Sequence, residues 1–294
     1  MSTKFCFSIL FLMFFVAANA QLPVTNLYMF TMTKGGGKVK IDKPKYLTAF
    51  NKNGYNNQPY FFEDDIVYFT TNYYNSDQTE IAKFDFFDEV LTRVTYTEES
   101  EYSPTSIPGK DEFSCIRVES DQVTQTLSVY PLDGIGYPKR YMNNTKNLGY
   151  HAWIDKNTLG LFLVEEPYHN LAIADSKSER RKIILDKIGR TLKVSREGKL
   201  VFVHKLTEDQ WYIKEYDNTL NRSTTLAPTL EGKEDFELLN DGSILMGSGS
   251  ELFRFDPANS ASWEKLADLS DFGIEDITRI AARKNRLLIV NQGT

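Results

Sequence analysis

The hydrophobic residues of this chain fall into short runs separated by polar turns, from Leu27 to Val290. The runs are rich in β-branched and aromatic residues, and helical periodicity lasts nowhere beyond a turn or two, so the pattern predicts strands. An aromatic fraction of 13%, with 20 Phe and 16 Tyr, also favours strands over helices. We therefore expect the globular part of the chain to be all-β.

One arrangement recurs along the chain, a polar turn followed by a β-branched or aromatic run. These runs begin at Ile66, Phe113, Leu159, Leu200, Ile244 and Leu287, at separations of 47, 46, 41, 44 and 43 residues. Each repeat carries four strand signals, and its third strand usually ends in Asp. An Asp suits that position because its carboxylate accepts backbone N–H groups two residues on and starts a hairpin turn.

A four-stranded unit of this length, repeated radially, is the signature of a β-propeller. In a propeller the first strand of each unit lies nearest the axis. The innermost strands are predicted at Gln58–Phe62, Ser103–Ile107, Tyr150–Ile154, Thr191–Ser195, Asp235–Leu239 and Ile277–Ala282.

The two ends of the chain supply half a unit each. Leu27–Met32 and Lys45–Phe50 match the third and fourth strands, while Ile277–Ala282 and Leu287–Val290 match the first and second. A sheet of two strands is only marginally stable in water, so each half needs the other. Pairing the halves also removes an open sheet edge. The prediction is a six-bladed β-propeller whose last blade is closed by strands from both termini.

The first twenty residues have a different character. Lys4 precedes the uncharged, mostly apolar run Phe5–Ala18, and Ala18-Asn19-Ala20 fits the small-x-small cleavage rule. The run is 14 residues long, too short to cross a bilayer comfortably, although a buried N-terminal helix is an alternative. We predict a signal peptide at residues 1–20 and a single exported propeller domain at residues 21–294, periplasmic or secreted. With no Cys at the cleavage point, we expect no membrane anchor.

Several features resemble the exported WD40-like propellers of the TolB-like group, which have PD40-type repeats. They are the Asn240-Asp241-Gly242 turn, the Asp-ended third strands and the split last blade with Ile277-Thr278-Arg279. The resemblance spans roughly Leu27 to Val290 and implies the six-bladed architecture. Only the fifth unit keeps a clean Asp-Gly turn. About six residues separate the predicted leader from the first strand, so we expect no counterpart here of the separate N-terminal domain of TolB.

Charge and cysteine content narrow the function classes. The net charge is −6, and −7 once Lys4 leaves with the leader, with no Lys/Arg cluster to bind phosphates. This argues against a nucleic-acid partner. After cleavage Cys115 is the remaining cysteine, so no intramolecular disulfide can form. Its apolar, alternating setting favours a buried structural thiol over a nucleophile.

Propeller ligands usually bind where the innermost strands converge on the axis. The polar residues that open those strands are therefore the candidates, among them Gln58, Ser103 and Thr278. We predict a ligand-binding channel mouth for a small anionic or peptidic ligand. Its residues are His151, Arg190, Glu234, Asp235 and Arg279. The alternative is that the same residues form ion pairs and turn caps, because buried charges must be paired in any case.

Signals for catalysis are weak. The chain lacks a Gly-x-Ser-x-Gly elbow, and its three His show no metal-ligand spacing. We therefore predict no catalytic residue, no metal ligand and no cofactor. The leading hypothesis is a monomeric module that binds a protein, peptide or glycan. The alternative is a hydrolase or lyase, lactonase-like or saccharide-cleaving, with a divalent cation such as calcium held in the channel by Glu234, Asp235 and Asp155.

Overall fold

The computed structural model describes residues 22–35, 38–134 and 136–293, so the predicted signal peptide lies outside the described residues. Strands and turns make up the described ranges, together with two 3₁₀ turns at Ala49–Asn51 and Ser270–Phe272. In chain order the strands are β1 (Asn26–Gly35), β2 (Lys38–Tyr46), β3 (Asn56–Phe61), β4 (Ile66–Thr71), β5 (Glu80–Asp85), β6 (Val90–Arg93), β7 (Ser100–Ser106), β8 (Glu112–Val118), β9 (Gln125–Pro131), β10 (Lys139–Tyr141), β11 (Leu148–Trp153), β12 (Thr158–Leu163), β13 (Asn170–Asp175), β14 (Arg180–Leu185), β15 (Ile188–Val194), β16 (Leu200–Lys205), β17 (Trp211–Asp217), β18 (Arg222–Pro228), β19 (Phe236–Leu238), β20 (Ile244–Ser248), β21 (Glu251–Phe255), β22 (Glu264–Asp268), β23 (Ile277–Arg283) and β24 (Arg286–Asn291).

The strands form six four-stranded antiparallel sheets, the blades of a β-propeller. Blades 1 to 5 are consecutive groups of four strands from β3 to β22, and blade 6 has the order β2-β1-β24-β23. The inner strands β3, β7, β11, β15, β19 and β23 lie side by side in that order, and β23 lies beside β3. The predicted six-bladed propeller, with a last blade from both termini, is confirmed.

Blade 6 closes the ring through apolar pairing of the two chain ends. In the antiparallel register of β1 and β24, Leu27 faces Val290 and Phe30 faces Leu287, and all four side chains are fully buried. A hydrophobic cluster then joins blade 6 to blade 1, with Leu27 and Val290 packed against residues such as Val67. Similar clusters fill the spaces between other neighbouring blades. The core of the protein is therefore a series of packed blade faces around the axis.

The Asp residues that end the third strands act as predicted. Asp85 accepts the backbone N–H of Phe87 at 2.8 Å, and Asp217 accepts that of Thr219 at 2.9 Å. One strand prediction is wrong: Lys45–Phe50 is not the outer strand of blade 6. That strand is β2, which starts directly after the glycine turn because Gly35 pairs with Lys38. It ends at Tyr46, and the chain then turns through Ala49–Asn51.

The meander of each blade defines two faces of the disc. We call the first the cavity face; it carries the turns that join inner to second strands and third to outer strands. The second is the closed face; it carries the turns from second to third strands and the connections from each outer strand to the next blade. Across the described ranges, no helix is long and apolar enough to span a membrane.

Candidate functional site

A polar network joins opposite blades across the propeller axis. Arg279, on inner strand β23 of blade 6, donates from Nη2 to the Tyr150 hydroxyl at 2.9 Å. Tyr150 belongs to β11 of blade 3, on the other side of the ring. The guanidinium also lies 5.1 Å from the centre of the Tyr150 ring and 3.2 Å from Asp235. Burial disfavours the charged form of Arg279, but Tyr150 and Asp235 outweigh it and raise its pKa.

Arg190 extends this network towards the closed face. Its Nη2 donates to the Thr278 carbonyl at 3.2 Å, and its Nε lies 3.7 Å from Glu234 and 3.8 Å from Asp235. Glu234 also pairs with Lys205 at 2.8 Å. Burial alone raises the pKa of Glu234, but the hydrogen bond from Lys205 and the charges of Lys205 and Arg190 hold it below its ordinary value. Each of these charges is therefore compensated within the network.

A cavity of about 620 Å³ lies on the axis beside this network. Its lining starts at the level of Arg279, Asp235 and Tyr150 and continues past Tyr60 to the turn residue Lys284 at the cavity face. Contacts between blades 6, 5, 4 and 3 cross the axis at the level where the lining starts, and they obstruct the axis towards the closed face. A ligand can therefore reach it from the cavity face.

The charged groups of the cavity wall are also paired. Lys193 Nζ lies 2.6 Å from Glu237, which links blades 4 and 5. Burial lowers the pKa of Lys193, but the charge and hydrogen bond of Glu237 outweigh it, so the net shift is upward. At the rim Asp64 pairs with Arg283 at 2.8 Å and with Lys284. The result is a polar lining in which each of these charges has a partner of opposite sign.

His151 lies apart from the network. Its Nε2 is 2.6 Å from Ser114 Oγ on β8, and the Trp153 indole N–H donates to the same oxygen at 2.8 Å. Burial lowers the pKa of His151 to about 3, so the ring is neutral at physiological pH. A Ser–His contact is one element of nucleophilic catalysis. Here the Ser114 side chain is completely buried and the contact joins blades 2 and 3, while His151 itself is one of the residues that line the cavity.

The structure thus brings four of the five predicted residues together: Arg190, Glu234, Asp235 and Arg279. Two features of the site were not predicted: Tyr150, which accepts the cross-axis hydrogen bond, and the Lys193–Glu237 pair. A usable signal existed for the pair, because Lys193 and Glu237 each lie close behind a predicted strand-opening residue. No local pattern could single out Tyr150, since its partner is 129 residues away.

The acidic side chains near the axis were also considered as ligands of a metal ion. Within the described ranges, no group of three or more His, Cys, Asp or Glu side chains could hold a metal ion. Of the residues considered for a channel cation, Glu234 and Asp235 face basic partners. Asp155 accepts the backbone N–H groups of Asn157 and Thr158 in a turn at the cavity face. These three carboxylates therefore have separate roles.

Known proteins resemble this chain in fold, but no sequence match is found. No protein-family model matches the chain, and no curated protein matches it in sequence. Among solved structures, putative TolB from Agrobacterium tumefaciens has a TM-score of 0.66 at 11% identity, covering 92% of this chain and 99% of that one. TolB from Acinetobacter baumannii has a TM-score of 0.59 at 11% identity. This second match covers 91% of the present chain, which spans 64% of that TolB.

A third solved structure, of a nidogen/laminin complex, has a TM-score of 0.57 at 13% identity and covers 81% of this chain and 92% of that one. At these identities the likeness concerns the fold. In fold the molecule is therefore a six-bladed β-propeller similar to the TolB structures, and membership of the TolB-like, PD40 or WD40 families stays a prediction.

Proposed function

We propose that the protein is an exported binding module that takes a peptide, a segment of a partner protein or a glycan into its axial cavity. The observation that carries this proposal is the axial cavity, whose lining reaches the turns of the cavity face and whose other end is crossed by the Arg279 network. Ligand sites in proteins are typically concave, preformed and about 300–1,000 Å³ in volume, with a few placed polar groups among apolar and aromatic ones. The cavity has a volume in this range and carries Tyr60, Tyr150 and Trp153 in its lining, and its wall is more polar than that of a typical site.

Binding is favoured over acid–base chemistry by the state of the charged groups. A general acid or base works best when its pKa lies near the operating pH. Lys193 and Arg279 are shifted in the opposite direction, upward, by their acidic or phenolic neighbours, and both stay charged near neutral pH. The neutral His151 is turned to Ser114. These groups fix the shape and polarity of the cavity.

Export is part of the proposal and rests on the leader sequence at residues 1–20. Expression of the full chain in a secreting host, followed by N-terminal sequencing of the exported protein, checks it. The expected N-terminus is Gln21.

The binding proposal is tested by a thermal-shift screen of the purified protein against a defined panel of short peptides and neutral oligosaccharides. We expect at least one compound to raise the melting temperature, because a ligand that binds the native state stabilises it by mass action. Tyr60→Ala removes a half-buried ring from the cavity wall and should abolish that shift. Tyr137→Ala, at an exposed tyrosine on the cavity-face loops, is the matched control and should keep it. A panel without any shift, or a shift unchanged in Tyr60→Ala, argues against the proposal.

A further inference from the structure

The closed face carries aromatic side chains that the other described residues leave exposed. Phe50, Tyr73 and Tyr96 are 37%, 47% and 71% exposed, and they lie on three successive connecting segments around blade 1. Phe50 and Tyr73 meet with their ring centres 4.7 Å apart, and Tyr73 meets Tyr74 at 5.2 Å. The rings therefore form one continuous patch, which we call the aromatic row: Phe50, Tyr73, Tyr74 and Tyr96.

Arg93 holds the far end of the aromatic row in place. Its guanidinium lies 5.1 Å from the centre of the Tyr74 ring and 4.5 Å from that of Tyr96. The same group is anchored from below, at 2.6 Å from the buried carboxylate of Glu80 and at 2.9 Å from the Thr95 carbonyl. Because the rings are fixed before any partner arrives, little side-chain entropy is lost on binding. Rigid aromatic side chains of this kind are enriched in protein interfaces.

The charge of the surrounding face decides which partner fits. The segments of the closed face contain 16 Asp and Glu against four Lys and Arg. The corresponding segments of the cavity face contain 12 against six, although the face has a similar number of segments. The closed-face segments are 47–55, 72–79, 94–99, 119–124, 142–147, 164–169, 186–187, 206–210, 229–235, 249–250 and 269–276.

Two of these acidic residues border the aromatic row directly. Asp77 lies in the same turn as Tyr73 and Tyr74, and Glu98 lies two residues after Tyr96; both are exposed. An aromatic face attracts a cation, and Arg is the cation that stacks most readily on Tyr. The excess of acidic over basic side chains in these segments also attracts a positively charged partner over a distance of about a Debye length, although some of the acids, such as Glu99 and Glu234, pair with Arg or Lys on the strands.

We propose that the aromatic row on the closed face is a docking surface for a basic, arginine- or lysine-containing segment of a partner protein. This surface is distinct from the axial cavity, which opens on the opposite face, so the propeller holds two binding sites on its two faces. Cationic side chains of the partner stack on Tyr73 and Tyr96, and Asp77 and Glu98 compensate their charge.

The proposal is tested by selecting a random dodecapeptide library displayed on phage against the purified protein. Three versions are compared: the wild type, the double variant Tyr73→Ala/Tyr96→Ala, and the control Phe87→Ala/Tyr137→Ala. The control removes two rings that are at least as exposed but lie on cavity-face turns. Because all four side chains are exposed, both double variants should fold, and melting temperatures close to that of the wild type confirm it.

We expect the peptides selected on the wild type to be enriched in Arg and Lys. They should bind Tyr73→Ala/Tyr96→Ala about tenfold or more weakly, and bind the control within about twofold of the wild type. Their affinity should also fall on raising NaCl to about 0.5 M. A selection that yields no basic peptides, or basic peptides that bind the wild type and the Tyr73→Ala/Tyr96→Ala variant equally, overturns the proposal; other peptides that bind both versions equally are ligands of the axial cavity. Displacement of the peptides by a neutral oligosaccharide such as maltohexaose, without displacement by polyarginine, overturns it in favour of a glycan.

Discussion

Glu101 is a buried carboxyl group that the fold holds at a stability cost. It lies in β7 at the interface of blades 1 and 2 and is completely buried. Its Oε1 accepts hydrogen bonds from the hydroxyls of Thr97 and, at 3.1 Å, Tyr130. Burial raises the pKa of Glu101 from 4.5 to about 7; the charge of Glu80 adds to this rise, while the two hydroxyls and Arg117 oppose it.

The raised pKa of Glu101 sets both the sign and the size of the pH dependence of stability. Between pH 4.5 and about 7 the native state keeps a proton on Glu101 that the unfolded chain releases, so the free energy of unfolding falls as pH rises through this window. Below pH 4.5 the carboxyl is protonated in both states and the cost is absent. Above pH 7 the cost is complete, about 3 kcal/mol at 1.36 kcal/mol per pKa unit.

Glu101→Gln keeps the shape of the side chain and cannot ionise. We compare the free energy of unfolding of Glu101→Gln with that of the wild type. The difference, variant minus wild type, should be about 3 kcal/mol larger at pH 8 than at pH 4.5. Urea unfolding of both proteins at those two pH values measures this difference. Glu98→Gln, at an exposed carboxyl on the connection that leads into β7, is the control, and its difference from the wild type should change little between the two pH values. A difference between Glu101→Gln and wild type that does not depend on pH refutes the reasoning.

Three further predictions concern the axis, the ring and metals. Arg279→Met and Tyr150→Phe should show a coupling energy of about 1 kcal/mol in a double-mutant cycle of urea unfolding, because they remove the same cross-axis hydrogen bond; zero coupling contradicts that contact. Deleting residues 277–294 removes β23 and β24 and leaves β1 without its inner partner, so the product should aggregate or unfold. A monomeric truncation with a cooperative transition contradicts closure by both termini. Chelation with EDTA should leave the melting temperature of the purified protein unchanged, and a clear decrease supports the channel-cation alternative.

The architecture could be predicted because propeller strands are local in the sequence. Each blade is a meander of adjacent strands, so its hydrophobic runs and turns repeat at a readable spacing. Turn-starting residues such as Asp85 and Asp217 make their contacts within three residues, and the sequence shows such contacts directly. Even the non-local pairing of β1 with β24 follows from counting, because each terminus supplies two strands that lack two others.

Lys45–Phe50 was misplaced for a physical reason. Its apolar residues resemble a strand, yet Leu47 and Thr48 are buried against the end of β1, where the Thr48 hydroxyl accepts the backbone N–H of Leu27 at 3.0 Å. The strand itself is the lysine-rich segment before it, and lysine is common on the exposed outer edge of a sheet, where it discourages edge-to-edge pairing. A hydrophobic pattern cannot detect a strand of that kind.

The site could be predicted only in part, because its contacts cross the axis. Strand-opening positions correctly indicated that Arg190, Asp235 and Arg279 converge. The spacing of strands does not reveal that Arg279 reaches Tyr150 on the opposite blade and obstructs one end of the channel. The buried state of Glu101 was equally hidden, because an acidic residue at the start of a strand is usually exposed.

We expect the propeller to bind its ligand in the axial cavity, with entry from the cavity face. A crystal structure of the protein with a compound from the thermal-shift panel decides this. Ligand density should lie on the axis beside Tyr60, on the cavity-face side of the Arg279–Tyr150 hydrogen bond. Ligand density confined to the outer strands or to the closed face, with an empty cavity, would contradict it.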